Sequence, residues 1–372
     1  MKPEAIPGDD RPQLTVDLAA LVANWRQLAA IAGPAEVAPS VKADAYGLGM
    51  AQVAPALAAA GASTFFVASV AEGTALRALL PDAVIYVLNG LPASGGAELL
   101  AHRLRPCLKS LTDVTGWAAG GSGEPAALHI DTGINRLGLG ADEVAALAGD
   151  RRSLDQIDIA LVMSHLACAD DPDNAMNARQ LADFCAATAM LGLADRPQSL
   201  AASSGIFLGR DFHLTMVRPG AAIYGLAPLK DRPNPMRQVI KLEGKILQVR
   251  CVDSGMSVGY GATHLVRGQG RVATVGIGYA DGFMRALGNR GFAVVGDRRV
   301  PIVGRVSMDL MTLDVSAAPP DLAVPGALVE LLGPRHSVDE LATEAGTVGY
   351  EILTALGRRF RRTYLDAAGP GQ

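Results

Sequence analysis

The feature that most constrains the fold is a repeated alternation of short apolar runs with alanine-rich helical segments through residues 12–235. Apolar runs of about 4–8 residues are typical of buried strands. Because strands that alternate with helices form parallel βαβ units, the pattern predicts an α/β fold. Eight such units in about 200 residues favour a closed (β/α)8 TIM-type barrel over an open sheet. The predicted strands are 39–43, 64–69, 84–88, 105–108, 127–131, 159–164, 199–203 and 216–218.

The sequence changes character after a proline-containing linker at residues 231–235. Beyond the linker, apolar runs separated by glycine turns predict a mostly β domain over residues 236–372, with residues 1–11 as a candidate addition to it. Ser337, followed three residues later by Glu340, predicts the capped start of a late helix. A barrel with a second domain also suits a chain of 372 residues.

Composition and charge argue against several classes of protein. The net charge is −4 and no long basic block occurs, so neither a nucleic-acid nor a membrane partner has electrostatic support. The first eleven residues contain acids and no apolar core, which is untypical of a secretory signal. The four cysteines are scattered without a C-x-x-C pair, which favours a reducing compartment, and we expect a cytoplasmic protein. The six histidines lack the spacing of metal ligands, so no metal is expected.

Conspicuous polar residues follow the carboxyl ends of the predicted strands, where barrel enzymes build their active sites. Lys42 lies at the end of the first strand, His165 follows the sixth, and Arg218 ends the eighth. A lysine in such a place can be a Schiff-base nucleophile, although an isolated lysine is more often a solvated surface residue.

A phosphate site is predicted beside these residues. Ser204 opens a short helix after the seventh strand, and Gly220 follows the eighth. Loops after these two strands commonly bind phosphate in barrels, because free N–H groups and the helix dipole favour an anion. Tyr46, beside flexible glycine backbone, is a further candidate to hold it. A role of Ser204 as the N-cap of the short helix is compatible with this prediction and does not exclude it. A lysine, a phosphate cradle and an arginine together suggest the cofactor pyridoxal 5'-phosphate.

Seven stretches of the sequence resemble motifs of the pyridoxal-phosphate alanine racemases. The first is Val-Lys-Ala-Asp-Ala-Tyr-Gly-Leu-Gly at 41–49. The others are His-Ile-Asp-Thr-Gly-Ile-Asn-Arg-Leu-Gly at 129–138, Val-Arg-Pro-Gly at 217–220, Ser-Val-Gly-Tyr-Gly at 257–261, Gly-Tyr-Ala-Asp-Gly at 278–282, Val-Ser-Met-Asp at 306–309 and Tyr-Glu-Ile-Leu at 350–353. They occur in the family's order across almost the whole chain.

The resemblance implies racemisation of alanine by two bases. Lys42 would hold the cofactor and exchange the α-proton on the D-face, while Tyr260 would serve the L-face. In the family this tyrosine comes from the other subunit, so a homodimer with shared active sites is implied. Met308 is similarly implied to be a partner-chain residue near the substrate carboxylate. The product, D-alanine, is a peptidoglycan precursor.

The resemblance also implies roles for the remaining site residues. His165 and Arg218 would form a network behind Tyr260, with Arg218 facing the pyridine nitrogen of the cofactor. Arg136 would donate to the phenolic oxygen of the cofactor and toward the substrate carboxylate. Tyr46, Ser204, Gly220 and Ala221 would surround the phosphate. Tyr279 and Tyr350 would narrow the entrance and help to hold the phosphate, although either could be an ordinary core tyrosine.

One position departs from the family pattern. Several members carry a lysine, modified to a carbamate, two residues before the Asp-Thr-Gly, and His129 occupies that position here. Histidine cannot be modified in this way, so the charge that orients Arg136 must come from elsewhere. Asn135 with a bound anion such as chloride is one hypothesis.

Other functions remain open at this stage. A broader amino-acid racemase for serine or basic substrates is the closest alternative, although Tyr350 would hinder larger side chains. A barrel decarboxylase fits less well, because Tyr260 and Met308 match the racemase pattern. A non-catalytic cofactor carrier would generally lack the β domain.

Overall fold

The computed structural model describes residues 11–121 and 123–366, and the described residues divide into two compact units. One unit comprises residues 21–237, and the other comprises residues 11–20 together with 238–366. The proposed addition of residues 1–10 to the β domain lies outside the described residues. The chain begins with strand β1 (Gln13–Asp17) and helix α1 (Leu18–Ala32), within which it passes from one unit to the other.

Residues 21–237 form a closed TIM-type barrel, as the alternating pattern predicts. Strands β3 to β8 form a parallel sheet in sequence order, and β2 pairs in parallel with β9. Parallel bridges from Ser40 to Phe66 and from Ala202 to Arg218 join the first strand to the second and the seventh to the eighth. The strands are β2 (Glu36–Val37), β3 (Thr64–Val67), β4 (Val84–Val87), β5 (Arg105–Leu108), β6 (Pro125–His129), β7 (Asp158–Met163), β8 (Gln198–Ser199) and β9 (Met216–Val217).

Apolar side chains from around the ring fill the barrel interior, so the polar groups of the site lie at its end. The interior cluster comprises Ala38, Phe66, Tyr86, Cys107, Ala127, Leu161, Met163 and Met216. The helices between the strands are α3 (Met50–Ala59), α4 (Val70–Leu79), α5 (Ala97–Ala101), α6 (Leu111–Gly120), α7 (Ala141–Gly149) and α8 (Ala175–Met190). The short element α2 (Lys42–Tyr46), before α3, has positive φ at residues 43–46 and is not a right-handed helix. Within the described part of the chain, no helix has both the length and the apolar character needed to cross a membrane.

The other unit is built on an eight-stranded sheet whose central strand, β10 (Ile240–Val252), pairs with three neighbours. The hairpin of β11 (Ser257–Val258) and β12 (His264–Leu265) lies off this sheet. The remaining strands are β13 (Gly270–Val275), β14 (Phe292–Val295), β15 (Arg298–Pro301), β16 (Met311–Asp314), β17 (Leu328–Leu332) and β18 (Arg361–Leu365). Helices α9 (Val338–Ala345) and α10 (Gly349–Ala355) follow β17, and Ser337 and Glu340 form the predicted capping box.

Strand β1 belongs to the β-rich unit, whereas the sequence places the start of the barrel at residue 12. It pairs antiparallel with β10 and parallel with β18. Leu14 and Val16 are fully buried there. Alternation of apolar residues identifies such a strand but not its partners, which lie more than two hundred residues away.

Candidate active site

The segment that carries Lys42 has a left-handed backbone, where the sequence predicts the end of a strand at residues 39–43. Extended pairing stops after the bridge at Ser40, and residues 43–46 all have φ between 53° and 57°. None of these four residues is glycine, so each costs roughly 1–2 kcal/mol relative to a right-handed conformation. A turn of this kind persists only when its surroundings determine it.

Two groups from distant parts of the barrel, and one side chain of the turn itself, fix this turn. The carboxylate of Glu72 accepts a hydrogen bond from the N–H of Ala43 at 2.8 Å. The ring of Tyr224 stacks on Tyr46 with 4.5 Å between centroids, and its hydroxyl donates to the carbonyl of Ser40 at 2.9 Å. Asp44 accepts from the N–H of Met50 at 2.7 Å and so joins the turn to α3. Lys42 is therefore presented by a rigid support.

The surroundings of Lys42 favour its neutral form. Burial lowers the pKa of Lys42, and the nearby positive charges of Arg136 and Arg218 lower it further. Glu72 opposes this shift with its negative charge. A lysine with a lowered pKa has more of the neutral amine that a nucleophile or base requires.

Arg218 is a buried cation with no carboxylate partner among the described residues. Its guanidinium donates to the hydroxyl of Ser199 and to the carbonyl of Ser164 at 2.6 Å. Burial lowers the pKa of Arg218 to about 10, so it remains charged at neutral pH. Since a buried charge is costly unless it is compensated, this side chain is suited to a ligand that accepts hydrogen bonds.

His165 is neutral, because burial and the charges of Arg218 and Arg136 lower its pKa to about 3. Its Nδ1 lies 3.5 Å from Nη2 of Arg218. A guanidinium can only donate, so Nδ1 accepts and the proton of the ring resides on Nε2. His165 therefore offers an N–H donor and no positive charge.

A fully buried glutamine, which the sequence analysis did not identify, holds the backbone around His165. The side chain of Gln180 donates to the carbonyl of His165 at 3.0 Å and accepts from the N–H of Ala167 at 2.8 Å. It also donates to the hydroxyl of Thr132 at 3.1 Å. No local signal could have revealed this role, because Gln180 lies on α8 and acts on two strand ends.

The predicted phosphate loops meet around Tyr46 and Gly220. A Cβ placed on Gly220 would lie 2.1 Å from the hydroxyl of Tyr46, so only glycine leaves room for this contact. The buried hydroxyl of Ser203 accepts from the N–H of Gly220 at 3.0 Å and from that of Ala222 at 3.1 Å. Ser203 directly precedes the 3-10 helix Ser204–Leu208. The sequence identified Ser204 but missed Ser203, which joins the two loops.

Arg136 lies in the loop that follows β6. Asp131 accepts hydrogen bonds from the N–H groups of Gly133, Ile134 and Asn135 at 2.8, 3.0 and 3.2 Å, which fixes the start of this loop. Arg136 itself is exposed.

His129, at the end of β6, is buried and neutral. Its pKa is lowered to about 4 by burial and by the charges of Arg218 and Arg136. Neither ring nitrogen has a hydrogen-bond partner among the described residues. A neutral His129 cannot supply the negative charge of a carbamate.

The candidate site residues of the β-rich unit are unusually exposed for their size. Tyr260 is 75% exposed, Met308 55%, Tyr350 47% and Tyr279 43%. Large apolar and aromatic side chains that are exposed together often mark a surface that another protein covers.

Arg359 connects the segments that carry Tyr279 and Met308. Its guanidinium lies 3.1 Å from Asp281 Oδ1 and 2.7 Å from Asp309 Oδ1. Asp281 is buried, and its other oxygen accepts from the N–H of Gly278 at 2.9 Å. The N–H of Tyr279 also donates to the carbonyl of Ser307 at 3.0 Å. The two segments therefore form one rigid surface.

Comparison with known families assigns both parts of the chain. The family model described as alanine racemase, N-terminal domain, matches residues 16–228. The model described as alanine racemase, C-terminal domain, matches residues 239–364.

Full-length relatives give the same result. The chain is 52% identical to an alanine racemase of Rhodospirillum rubrum over 358 residues, which cover 94% of this chain and 95% of that protein. The alanine racemase of Bartonella henselae, solved with covalently bound pyridoxal phosphate, has a TM-score of 0.92 at 38% identity and covers 96% of this chain and 100% of its own. The biosynthetic alanine racemase of Pseudomonas aeruginosa has a TM-score of 0.88 at 34% identity, with coverage of 96% and 100%.

Proposed function

The chain belongs to the alanine racemase family and interconverts L-alanine and D-alanine, and we propose that it does so with two bases, Lys42 and Tyr260, from different copies of the chain. The observation that carries this mechanism is the group at the barrel's strand ends. There, a lysine with a lowered pKa lies near the buried cation of Arg218, which contacts the neutral His165.

The residues of the barrel fit pyridoxal 5'-phosphate, the group held by the Bartonella henselae relative. When bound, this cofactor withdraws electrons from the substrate's Cα and makes its proton removable. Lys42 would hold it covalently, and the uncompensated Arg218 would donate to its ring nitrogen. Tyr46, Ser204, Gly220 and Ala221 would surround its phosphate, where the loops after β8 and β9 meet. Arg136 and Tyr350 would complete the cofactor site.

Lys42 would move the α-proton on the D-face, and Tyr260 would move it on the L-face. A base must be able to lose its own proton near the working pH. For Lys42, burial and the two arginines supply this condition.

For Tyr260, the Nε2–H of His165 would donate a hydrogen bond to the phenolic oxygen in the proposed dimer. From the sequence, His165 and Arg218 are expected to act behind this tyrosine as positive charge or as hydrogen-bond donors. In the proposed mechanism the neutral His165 is the donor and Arg218 carries the charge.

The exposure of Tyr260, Met308 and Tyr279 supports a homodimer in which each copy completes the active site of the other. Met308 and Arg136 would bind the substrate carboxylate. Tyr279 and Tyr350 would narrow the entrance, and Tyr350 would limit the size of the side chain that enters. Specificity for alanine over serine or basic amino acids follows from this limit.

The physiological proposal is that the protein supplies D-alanine for peptidoglycan in the cytoplasm. It is supported by the relative from Pseudomonas aeruginosa, which is described as biosynthetic. The cysteines Cys107, Cys168, Cys185 and Cys251 are all free, as expected in a reducing compartment.

The proposal is tested by incubating the purified protein with L-alanine, L-serine and L-lysine in turn and measuring the D-enantiomers. We expect rapid formation of D-alanine and much slower formation of D-serine and D-lysine. Lys42→Ala and Tyr260→Phe should each abolish the reaction. Retention of wild-type turnover by either variant would remove that residue from the mechanism.

A further inference from the structure

Glu72 lies where the pairing between the first two barrel strands stops. The N–H of Val41 donates to the carbonyl of Phe66 at 2.9 Å, which is the last backbone bond of this ladder before the left-handed turn. In place of a further backbone hydrogen bond between the two strands, the Glu72 carboxylate accepts hydrogen bonds from an N–H group at the end of each strand. Its Oε1 accepts from the N–H of Ala43 at 2.8 Å, and its Oε2 accepts from the N–H of Ala68 at 2.7 Å.

The backbone alone offers no equivalent bond at this point. The carbonyl of Ala68 already accepts from the N–H of Asn89 at 3.0 Å, which joins the second strand to the third. A carboxylate can accept from both N–H groups at once, and such charge-assisted bonds are stronger than neutral ones. Glu72 is itself fixed at the start of α4, where it forms a capping box with Ser69.

We propose that Glu72 is a positioning residue for Lys42, which it holds in place through the left-handed turn that begins at Ala43. Glu72 acts through the backbone and does not touch the reacting atoms. The inference rests on the proposed role of Lys42 as the lysine that holds the cofactor.

The negative charge of Glu72 gives it a second effect on Lys42. The charged and titratable groups that act on Lys42 are Arg136, Arg218, His165 and Glu72. The two arginines lower the pKa of Lys42, whereas Glu72 raises it. Loss of the Glu72 charge should therefore lower the pKa of Lys42 further and make its neutral amine available at lower pH.

Glu143 provides a matched control in the same unit. It forms the same kind of capping contact at the start of α7, where its Oε2 accepts from the N–H of Gly140 at 3.1 Å. Its Oε1 also reaches another element, accepting from the N–H of Leu111 at 3.4 Å. Glu143→Gln therefore reproduces the loss of a bridging, capping carboxylate that neither bonds to residues 43–46 nor acts on Lys42.

The experiment compares Glu72→Gln, Glu72→Asp and Glu143→Gln with the wild type in the full-length protein. We expect Glu72→Gln to weaken pyridoxal-phosphate binding to the cofactor-free protein roughly tenfold, the effect of losing one charge-assisted hydrogen bond. Amide hydrogen exchange at residues 43–49 should become faster. The value of kcat/KM for alanine should fall roughly 10–100-fold, because small misplacements of reacting groups are costly.

Two further measurements separate positioning from charge. Glu72→Asp keeps the charge but is one methylene too short, so it should accelerate exchange at residues 43–49. It should leave the pH at which Lys42 of the cofactor-free protein reacts with an aldehyde nearly unchanged. Glu72→Gln should shift that pH downward, and Glu143→Gln should alter neither property.

The proposal is overturned if Glu72→Gln has wild-type exchange at residues 43–49 and wild-type cofactor affinity. It is also overturned if Glu143→Gln produces the same losses as Glu72→Gln. A Lys42→Ala variant distinguishes this failure from failure of the proposed function. If that variant still attaches pyridoxal phosphate covalently and racemises alanine, the role of Lys42 itself is wrong.

Discussion

Lys42 and Tyr260, the two proposed bases, are held in opposite ways. Lys42 precedes a left-handed turn that is fixed by Glu72 and by the stacked ring of Tyr224. Tyr260 is 75% exposed and begins a three-residue 3-10 turn flanked by Gly259, which has φ 76°. A base needs a defined position, and Tyr260 has few neighbours of its own to provide one. In the proposed mechanism, each copy would prepare one half of an active site for itself and present the other half to a partner.

The most direct test of whether Lys42 and Tyr260 act from different copies of the chain is to mix two inactive variants. We expect Lys42→Ala and Tyr260→Phe each to lose more than roughly 10³-fold in activity, because each lacks one proton-transferring group. After denaturation and joint refolding, about a quarter of wild-type activity should return, since half of the dimers are mixed and one of their two sites is intact. The measurement is D-alanine formation by the refolded mixture.

If both bases come from one chain, the mixture stays inactive, and the contrast between a prepared and a presented half is wrong. Each variant refolded alone provides the control. A mixture that is assembled without denaturation reports how readily the subunits exchange.

A smaller effect is expected from Gly220→Ala, which tests how rigid the Lys42 half is. The new Cβ would lie 2.1 Å from the hydroxyl of Tyr46, whose ring is buried and stacked on Tyr224. Because Tyr46 must move, we expect pyridoxal-phosphate affinity to fall roughly 10–100-fold, as for other disturbed ligand-positioning groups. Affinity is measured by titrating the cofactor-free protein.

Gly149→Ala is the matched control, because a Cβ there meets nothing within 4 Å. An unchanged affinity in Gly220→Ala would mean that the Tyr46 region adapts, and the contrast with Tyr260 would weaken.

Arg359→Met tests the exposed surface of the β-rich unit, in contrast to the Lys42 region tested by Gly220→Ala. It removes the contacts that join Asp281 to Asp309 and so loosens the surface that carries Tyr279 and Met308. We expect kcat/KM for alanine to fall about tenfold, mainly through a higher KM, while pyridoxal-phosphate affinity stays unchanged. Steady-state kinetics and cofactor titration give the two values.

Arg299→Met is the control, since Arg299 forms an ion pair with Glu340 in the same unit. A loss of cofactor affinity in Arg359→Met would show that the Tyr279 and Met308 surface also affects cofactor binding by the Lys42 region.

The smallest expected effect is a shift along the pH axis. Arg136→Gln removes a positive charge that lowers the pKa of Lys42, so the pKa should rise toward its ordinary value. The neutral amine then appears at higher pH, and the reaction of cofactor-free protein with an aldehyde should move to higher pH. Arg152→Gln, which alters a surface pair with Asp150, should cause no shift. An equal shift in both variants would contradict the assignment to Arg136.

The barrel was predictable because its signal is local and repeated. Each strand is a short apolar run that precedes a helix, and closure follows from the count of eight. The handedness of residues 43–46 was not predictable, because alanine and tyrosine rarely adopt positive φ and aspartate does so mainly as a single residue. The turn depends on Glu72 and Tyr224, whose contacts cross long stretches of sequence.

The candidate site was predictable to a similar extent. The sequence places Lys42, His165 and Arg218 at strand ends, and the barrel brings these ends together. Ser203 and Gln180 were missed, since a buried serine or glutamine has no sequence signal for the distant loop that it joins. The sequence indicates only one of the two roles of Glu72. The spacing from Ser69 predicts a capping box, but not the second bond to Ala43.

The closure of the barrel has a consequence for its resistance to unfolding. Strands β2 and β9 are joined by two residue pairs, Glu36–Met216 and Val37–Val217, and the Tyr46–Gly220 contact lies just beyond them. A phosphate that contacts both Tyr46, after β2, and Gly220, after β9, would link the first barrel strand to the last. A ligand that binds only the folded state adds about 2.7 kcal/mol to the free energy of unfolding at a hundredfold excess over its Kd. The cofactor would thus stabilise the closed barrel against unfolding in addition to its part in the reaction.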